Sequence, residues 1–438
     1  MSNKALKGIR HTIYWEEHVG PPAASGTALP KNVDVLIVGS GYTGLNAAIE
    51  TARGGRSTLI LDAENLGYGC STRNGGQVST SVKPSLDKLT RSFGLDKARN
   101  IRSEGTAALE WLADFVDREQ MDCDFIRSGR YHAAHTPRHY ETLVRDAEKM
   151  RRQEGIESFA VPRAEQRSEL GSDSYFGGVV FPKHSAVHPA KMHREMLRLA
   201  AEAGAQAVGH CAVTDIERTS AGFTVTTAKG GINARDVIVA TNGYSTKLVP
   251  WLRRRIIPIG SYIIVTEELP EETIDRLFPT DRIASDTCKV VYYYRATPDR
   301  KRILFGGRVS AGETDTGASA PRLFDSMCRI FPELRGCKVG YSWSGTVAYS
   351  FDEMAHTGVH DGIHYAMGYC GSGVSMASYL GMRAGQKVLG LAGGKTAFDD
   401  LPYPTRPLYT GKPWFLPAAV AYYRWVDQLQ WRIAAAGA

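Results

Sequence analysis

The sequence predicts an α+β protein built on two sheets, one parallel at its centre and one mainly antiparallel. Three observations predict it. The stretch VDVLIVGSGYTGLNAAIE (33–50) runs from a buried strand through a glycine turn into a helix, and STLILDAE (57–64) supplies a second buried strand. Strand, helix and strand within about 30 residues make a right-handed βαβ unit. From Gly260 to Ala348 the texture changes: SYIIVT, VVYYYRAT, RILFGGR and VGYSWSGTVA are β-branched and aromatic, as the strands of an antiparallel sheet are. GIHYAMGYCGSGVSMASYLGMRAGQKVLGL (362–391) then returns to strand, glycine turn and helix.

The other elements follow in order. Residues 20–32, rich in Pro, Gly, Ala and Ser, form an irregular lead-in. After the first glycine turn, Leu45, Ala48, Ile49 and Ala52 recur at helical spacing. Residues 84–119 read as helical, with Ile101, Leu109, Leu112, Phe115 and Val116 on one side. RDAEKMRRQEG (145–155) is a polar helix end, and HPAKMHREMLRLAAEAGAQ (188–206) is an amphipathic helix closed by a glycine. Residues 212–241 read as three strands joined by turns at SAG and KGG.

Composition excludes several classes. A chain of 438 residues with 43% hydrophobic content can bury two cores, and 23% charged residues is a globular value. The net charge of +7 is a mild bias that a solvated surface absorbs, and it favours an anionic substrate. The densest basic run, WLRRRIIP (251–258), is too short for a nucleic-acid surface. Seven cysteines without a C-x-x-C pair fit reduced thiols better than disulfides or a metal site, so no metal is expected. The N-terminal segment lacks the apolar core of a secretory signal, and no run reaches the roughly 18 apolar residues of a membrane span. A soluble, cytoplasmic protein is the expectation.

The glycine turn carries chemistry. Gly39 permits the tight turn, Gly41 lets backbone approach a pyrophosphate, and Gly44 lets helix pack on strand. The helix N-terminus offers N–H groups and a positive dipole end to the anion. Asp62, with Ala63 beside it and Glu64 as the back-up, ends the next strand where a ribose hydroxyl needs an acceptor. GYGCSTRNGGQVS (67–79) is all small and polar, and suits backbone lying against a large flat ligand; Arg73 would face a phosphate or a reduced ring.

With these residues in view, the chain resembles the D-amino-acid oxidase family of FAD-dependent oxidoreductases, most of all its gamma-glutamylputrescine oxidase branch. The resemblance runs from about Tyr14 to Gly394 and rests on GSGYTGLNAAIE, LGYGCSTRNGGQV, VHPAKMHREMLRLAAEAGA, VIVATNGYSTKLVP, VTEELP, ILFGGR, SWSGTVAYSFDEMAHTG and YAMGYCGSGVSMASYLG in that order. It implies a Rossmann-type FAD-binding domain from 33–90, 180–250 and 345–400, and a mainly antiparallel substrate domain from 91–179 and 251–344. An N-terminal lead-in covers 1–32 and an extension with an amphipathic helix covers 401–438.

The resemblance also implies contacts. Gly39, Gly41, Tyr42, Thr43 and Gly44 would hold the pyrophosphate and Asp62 the ribose. Ser71, Arg73, Asn74, Gly76 and Gln77 would lie along the diphosphate and the ring. Val213 would pair with adenine. Thr241, Asn242 and Gly243 match the family's Ala-Thr-Gly element, and Gly371, Ser372, Gly373 and Val374 would aim a helix N-terminus at the flavin. The implied reaction oxidises a C–N bond, with hydride passing to flavin N5 and the reduced flavin passing electrons to O2. SWSGTVA offers no thiol where some relatives link FAD, so non-covalent FAD is expected, with a thioether at Cys70 as the minor alternative. Ser372 stands where many branch members carry His, and RILFGG lacks the Lys of sarcosine-oxidase-type relatives.

For the substrate, Tyr262, Tyr292, Tyr293 and Tyr294 interleave with Arg295 and Arg308, and an Arg reaching down from this sheet would clamp a carboxylate. Trp343 and His356 are further candidates. Two substrate readings stay open: a gamma-glutamylated polyamine, and a small carboxylate-bearing amine such as iminodiacetate, sarcosine or glycine. A dehydrogenase passing electrons to a quinone or a carrier is the alternative to the oxidase. The aromatic helix in 413–438 would dock on the body, on a second subunit or on a membrane surface.

Overall fold

Strand β1 (Asn32–Val38) is buried along its whole C-terminal half, as the central strand of a parallel sheet must be. In the computed structural model, which describes residues 5–20, 28–80, 82–308 and 316–436, it pairs in parallel with β2 (Thr58–Leu61) on one side and Gly230–Val239 on the other. Helix α1 (Tyr42–Arg53) is the crossover between β1 and β2. Gln206–Val208 extends the sheet beyond β2, Ile363–Met367 and His356–His360 extend it beyond Gly230–Val239, and the hairpin Val213–Thr219 with Gly222–Thr227 joins as an antiparallel flap.

The second sheet has eight strands, of which β3 (Ile256–Thr266) and β4 (Val339–Ser350) make the longest ladder. All its pairings are antiparallel except that of Ile283–Asp286 with Arg130–Ala133. It buries its own core, in which Tyr131, Tyr262, Tyr292, Tyr294 and Phe305 pack against the helix Thr316–Ile330.

Packing moves the expected domain boundaries. The helix Leu95–Arg118 was expected in the second domain, yet Ala98, Ile101, Leu109 and Leu112 share the core of α1 and α2 (Gly373–Val388). β4 continues unbroken past residue 345, and Gly178–Phe181 pairs with Arg130–Ala133, so both belong to the second sheet. An apolar helix face does not state which core it seeks, and a long strand carries no mark where one domain would hand over to the next.

The two helices of the nucleotide half lie unusually close. A Cβ on Gly381 would sit 2.3 Å from the Thr43 carbonyl oxygen, and one on Gly385 2.8 Å from that of Ala47. A glycine inside a helix costs about 1 kcal/mol against alanine, a cost that this approach offsets. At the far end, α3 (Leu416–Ala436) docks on the second sheet. Asp427 accepts from the Lys289 and Val290 N–H groups at 2.9 and 2.8 Å, Gln430 reaches His135 at 2.9 Å, and Trp431 packs on Tyr175. His135, Cys288 and Asp427 gather metal-ligand atoms within 4.8 Å, but His135 Nδ1 is taken up by Thr287, and its Nε2 and both Asp427 oxygens are taken up by this docking. Trp414, Tyr422, Trp425 and Ile433 stay exposed. No described helix is long and apolar enough to cross a membrane.

Gly381→Ala is expected to lower stability by about 1–3 kcal/mol, because its methyl meets main chain that cannot turn aside. A thermal melt reads it, and an unchanged midpoint would show that α1 and α2 can part at no cost.

Candidate active site

A cavity of about 1280 Å³ opens at the C-terminal ends of the parallel strands and runs beneath the second sheet. Crevices at such strand ends are where open parallel sheets bind ligands. Its floor begins at the first glycine turn. Gly39 has φ +104°, and a Cβ there would meet the Ala240 carbonyl oxygen at 3.1 Å; one on Gly41 would meet Ser71 Oγ at 2.9 Å. Gly41 gives α1 no side-chain cap, so main-chain N–H groups face this end, and Ser71 Oγ accepts from the Tyr42 N–H at 2.9 Å. Asp62 is fixed at the end of β2 by the Ser40 N–H at 2.9 Å and the Glu64 N–H at 3.1 Å. Asp62, Ala63, Glu64 and Val213 line this end of the cavity.

The segment 70–77 forms the next stretch. Two indoles hold it: Trp15 donates to the Asn74 carbonyl at 2.9 Å and Trp343 to that of Arg73 at 2.8 Å. Cys70 Sγ donates to the Thr346 carbonyl at 3.0 Å. Arg73 lies over the Tyr68 ring and donates to the Tyr68 and Ser344 carbonyls at 2.6 and 3.2 Å. The N-terminus of α2 closes this part: Gly371 has φ +95°, and Gly371, Ser372, Gly373 and Val374 line the cavity. Tyr369, one turn earlier, meets Thr43 Oγ1 at 2.6 Å and ties the start of α2 to the start of α1.

Among the expected cofactor residues, Ser71, Asn74, Gln77, Thr241 and Asn242 line the cavity. Gly44, Gly76 and Gly243 lie behind it. A Cβ on each would strike a carbonyl oxygen, of Gly39 at 1.9 Å, Val187 at 2.2 Å and Thr346 at 2.5 Å, so they serve close packing of main chain.

Strand alternation sorts the expected substrate residues. Tyr262, Tyr292 and Tyr294 face the core of the second sheet, away from the cavity. Tyr293 faces the cavity and its hydroxyl meets Ser261 Oγ at 2.9 Å. Burial holds that phenol up at about 12, so it keeps its proton at neutral pH. Arg295 shares the face of Tyr293 but is spent on the Gly76 and Val187 carbonyls at 3.2 and 3.1 Å. Trp343 packs beside Ile263 and Leu304 and acts only through Arg73. His356 stacks on Tyr403 at 3.9 Å and bonds Asp352 at 3.0 Å, outside the cavity. These placements correct the expectation that Tyr262, Arg295 and Trp343 reach the substrate.

Arg308 does line the cavity, with its guanidinium 4.7 Å from the Tyr349 ring centroid and no carboxylate partner among the described residues. Residues not singled out from the sequence join it. Gly345, Val347 and Tyr349 share one face of β4, and the Tyr349 hydroxyl is sealed from solvent with no hydrogen-bond partner among the described residues. Arg130 and His132, alternate residues of RYHA, line the same chamber. Period-two alternation was the available signal for both sets.

The comparisons agree with this floor of small residues and main-chain donors. A family model described as FAD dependent oxidoreductase matches residues 34–386. The chain belongs to the FAD-dependent oxidoreductase family. Gamma-glutamylputrescine oxidoreductase of Escherichia coli is 33% identical over 402 residues, 90% of this chain and 93% of the relative. Among solved structures, glycine oxidase of Geobacillus kaustophilus superposes with a TM-score of 0.71 at 20% identity, covering 86% of this chain and 99% of that one. Iminodiacetate oxidase of a Chelativorans species gives 0.68 at 16% identity, covering 85% and 98%. At such identities these structures show the fold of the family. FAD is its cofactor, and the glycine cradle fits it: Gly39 and Gly41 line the cavity without side chains, at the end of α1 where main-chain N–H groups are presented.

Burial shapes the acid response of this FAD-dependent oxidoreductase. Desolvation pushes His132, His188 and His193 down to about 4. The unfolded chain therefore binds more protons between about pH 6.5 and 4, so stability is full above that window and is lost as pH falls through it. For His193, which is fully buried, the loss is on the order of 3 kcal/mol. Asp286, which burial holds protonated up to about 7, acts in the opposite sense, as do Asp427 and Glu50, which burial also raises; His135, His139, His184 and His364, which burial lowers, add to the histidine side. The melting temperature is expected to fall between pH 7 and pH 5; a flat or rising profile would contradict this reading.

Proposed function

We propose that the protein oxidises a C–N bond of a carboxylate-bearing amine. Gly39–Thr43 would hold the FAD pyrophosphate, Asp62 the ribose and Val213 the adenine, with Ser71, Arg73, Asn74, Gln77 and Gly371–Val374 around the remainder. When bound, FAD supplies hydride acceptance at N5 and the passage of electrons to O2. The observation that carries the reading is Arg308, a cavity-lining guanidinium with no carboxylate partner among the described residues.

The residues of the chain divide the remaining work. Arg308 takes the substrate carboxylate in a bidentate pair, and the Tyr349 hydroxyl, otherwise without a partner, donates to the same group. The phenol of Tyr293 stays protonated and serves as a donor, not a base. The amine must bind without its proton. Arg308 and Arg130 favour that form, because nearby cations disfavour an ammonium ion. The helix dipole at Ser372–Val374 favours negative charge beside it, where reduced flavin gathers it. The Cys70 thiol is engaged with the Thr346 carbonyl, which supports non-covalent FAD.

The E. coli relative supports a gamma-glutamylated polyamine, and the iminodiacetate and glycine oxidase folds suit a small amino acid. Each of these carries a carboxylate for Arg308. A second reading, a dehydrogenase that passes electrons to a quinone or carrier, draws support from the exposed Trp414, Tyr422 and Trp425 at α3.

Anaerobic mixing of the yellow protein with sarcosine, glycine, iminodiacetate, putrescine and gamma-glutamylputrescine is expected to bleach the 450 nm band only with amines bearing a carboxylate. Admitting air should restore the colour with peroxide. Recovery that needs an added quinone would select the dehydrogenase, and bleaching by putrescine alone would remove the carboxylate requirement. Arg308→Met is expected to lower kcat/KM on the order of 100-fold, the loss typical of a broken charged pair.

A further inference from the structure

The chamber holds a second cation that the proposed clamp does not use. Arg130 and His132 point into the cavity from one face of Arg130–Ala133, while Tyr131 and Ala133 point into the core. Arg130 Nε is sealed from solvent and has no hydrogen-bond partner among the described residues. One terminal nitrogen reaches Gln77 Oε1 at 3.3 Å, a long contact to a neutral acceptor. Other part-buried arginines of the fold are better satisfied: Arg102 pairs with Glu154 at 2.7 Å and Arg282 with Glu169 at 2.6 Å, while Arg295 donates to the Ala296, Gly76 and Val187 carbonyls and Arg255 to those of Tyr403 and Trp251. Asp286 lines the same cavity from the strand paired with Arg130–Ala133, but its oxygens are taken up by the Tyr175 hydroxyl and the N–H groups of Cys288 and Tyr292.

Lys83 lines the same cavity as a further, exposed cation, 5.6 Å from the Tyr349 ring centroid, while the imidazoles beside Arg130 add no charge. His132 Nδ1 meets Ser285 Oγ at 2.9 Å, and His184 meets Thr80 Oγ1 at 3.0 Å with its Nδ1 sealed and unpartnered. Burial and the Arg130 charge hold both rings neutral at pH 7. A half-buried guanidinium that keeps its charge without a partner is costly, and the cost is removed when an anion arrives with the ligand.

We propose that Arg130 is a second anion subsite and that the substrate is a dicarboxylate amine, one carboxylate on Arg308 and the other on Arg130. This rests on the reading of Arg308 as the first clamp. It narrows the substrate to amines bearing an acidic group on each arm, or on the far end of one arm.

Calorimetry on the FAD-loaded protein tests it without turnover, using malonate, succinate, glutarate and adipate against butyrate. The best dicarboxylate is expected to bind at least tenfold more tightly than butyrate, and Arg130→Met to bring the two within about threefold. If Arg130→Met does not fold, Arg130→Gln takes its place; the wild-type comparison needs no variant. Butyrate binding that Arg308→Met weakens, with no wild-type preference for any dicarboxylate, would overturn the second subsite and leave the first clamp standing. A preference that survives loss of Arg130 would also overturn it, as would loss of FAD from the Arg130 variant, which would assign the cation to the cofactor. Failure of every acid to bind the wild-type protein would overturn both readings.

Discussion

The close contact between α1 and α2 is the constraint on which the rest depends. Gly381 and Gly385 let the two helices meet main chain to side, and Tyr369 with Thr43 locks their N-terminal ends together. Two positive helix ends therefore open on one cavity, one at the first glycine turn and one at Gly371–Val374. A dinucleotide that is anionic at its diphosphate, and again at its ring when reduced, would be favoured by such a pair of dipole ends. The parallel sheet supplies the rigid frame, because β1 is bound on both sides and cannot shift without breaking two ladders.

The second sheet decides what lies above that floor. Its strands alternate in face, so adjacent residues have opposite fates: Tyr292 and Tyr294 build core while Tyr293 faces the cavity. This also explains what the sequence made legible. The βαβ unit, the glycine turn, the antiparallel character of the later strands and the family could all be read from local pattern and motif order. Asp62, Val213, Thr241 and Gly371–Val374 occupy the cavity because motif spacing fixes main chain against main chain. The substrate wall was not legible in the same way. Choosing among Tyr262, Arg295 and Arg308 requires knowing which face of each strand looks inward and how far down the sheet each residue sits. Arg295 shows the difficulty: it points the expected way, yet it ends on two carbonyls of the cofactor-side backbone.

Charge gives the chamber its character. The protein neutralises Arg102 and Arg282 internally, and leaves Arg130 and Arg308 without acidic partners among the described residues. Desolvation silences His132 and His184 beside them. The result is a positive compartment suited to an anionic ligand. The mild net charge of +7 says little of this, since the effect comes from two placed side chains rather than from the total.

The most direct test is a crystal structure of the FAD-loaded protein soaked with a dicarboxylate. The dinucleotide should run from Val213 to Gly371–Val374, with one carboxylate on the Arg308 guanidinium beneath the second sheet. A flavin ring placed elsewhere, or a carboxylate bound away from Arg308, would contradict the account.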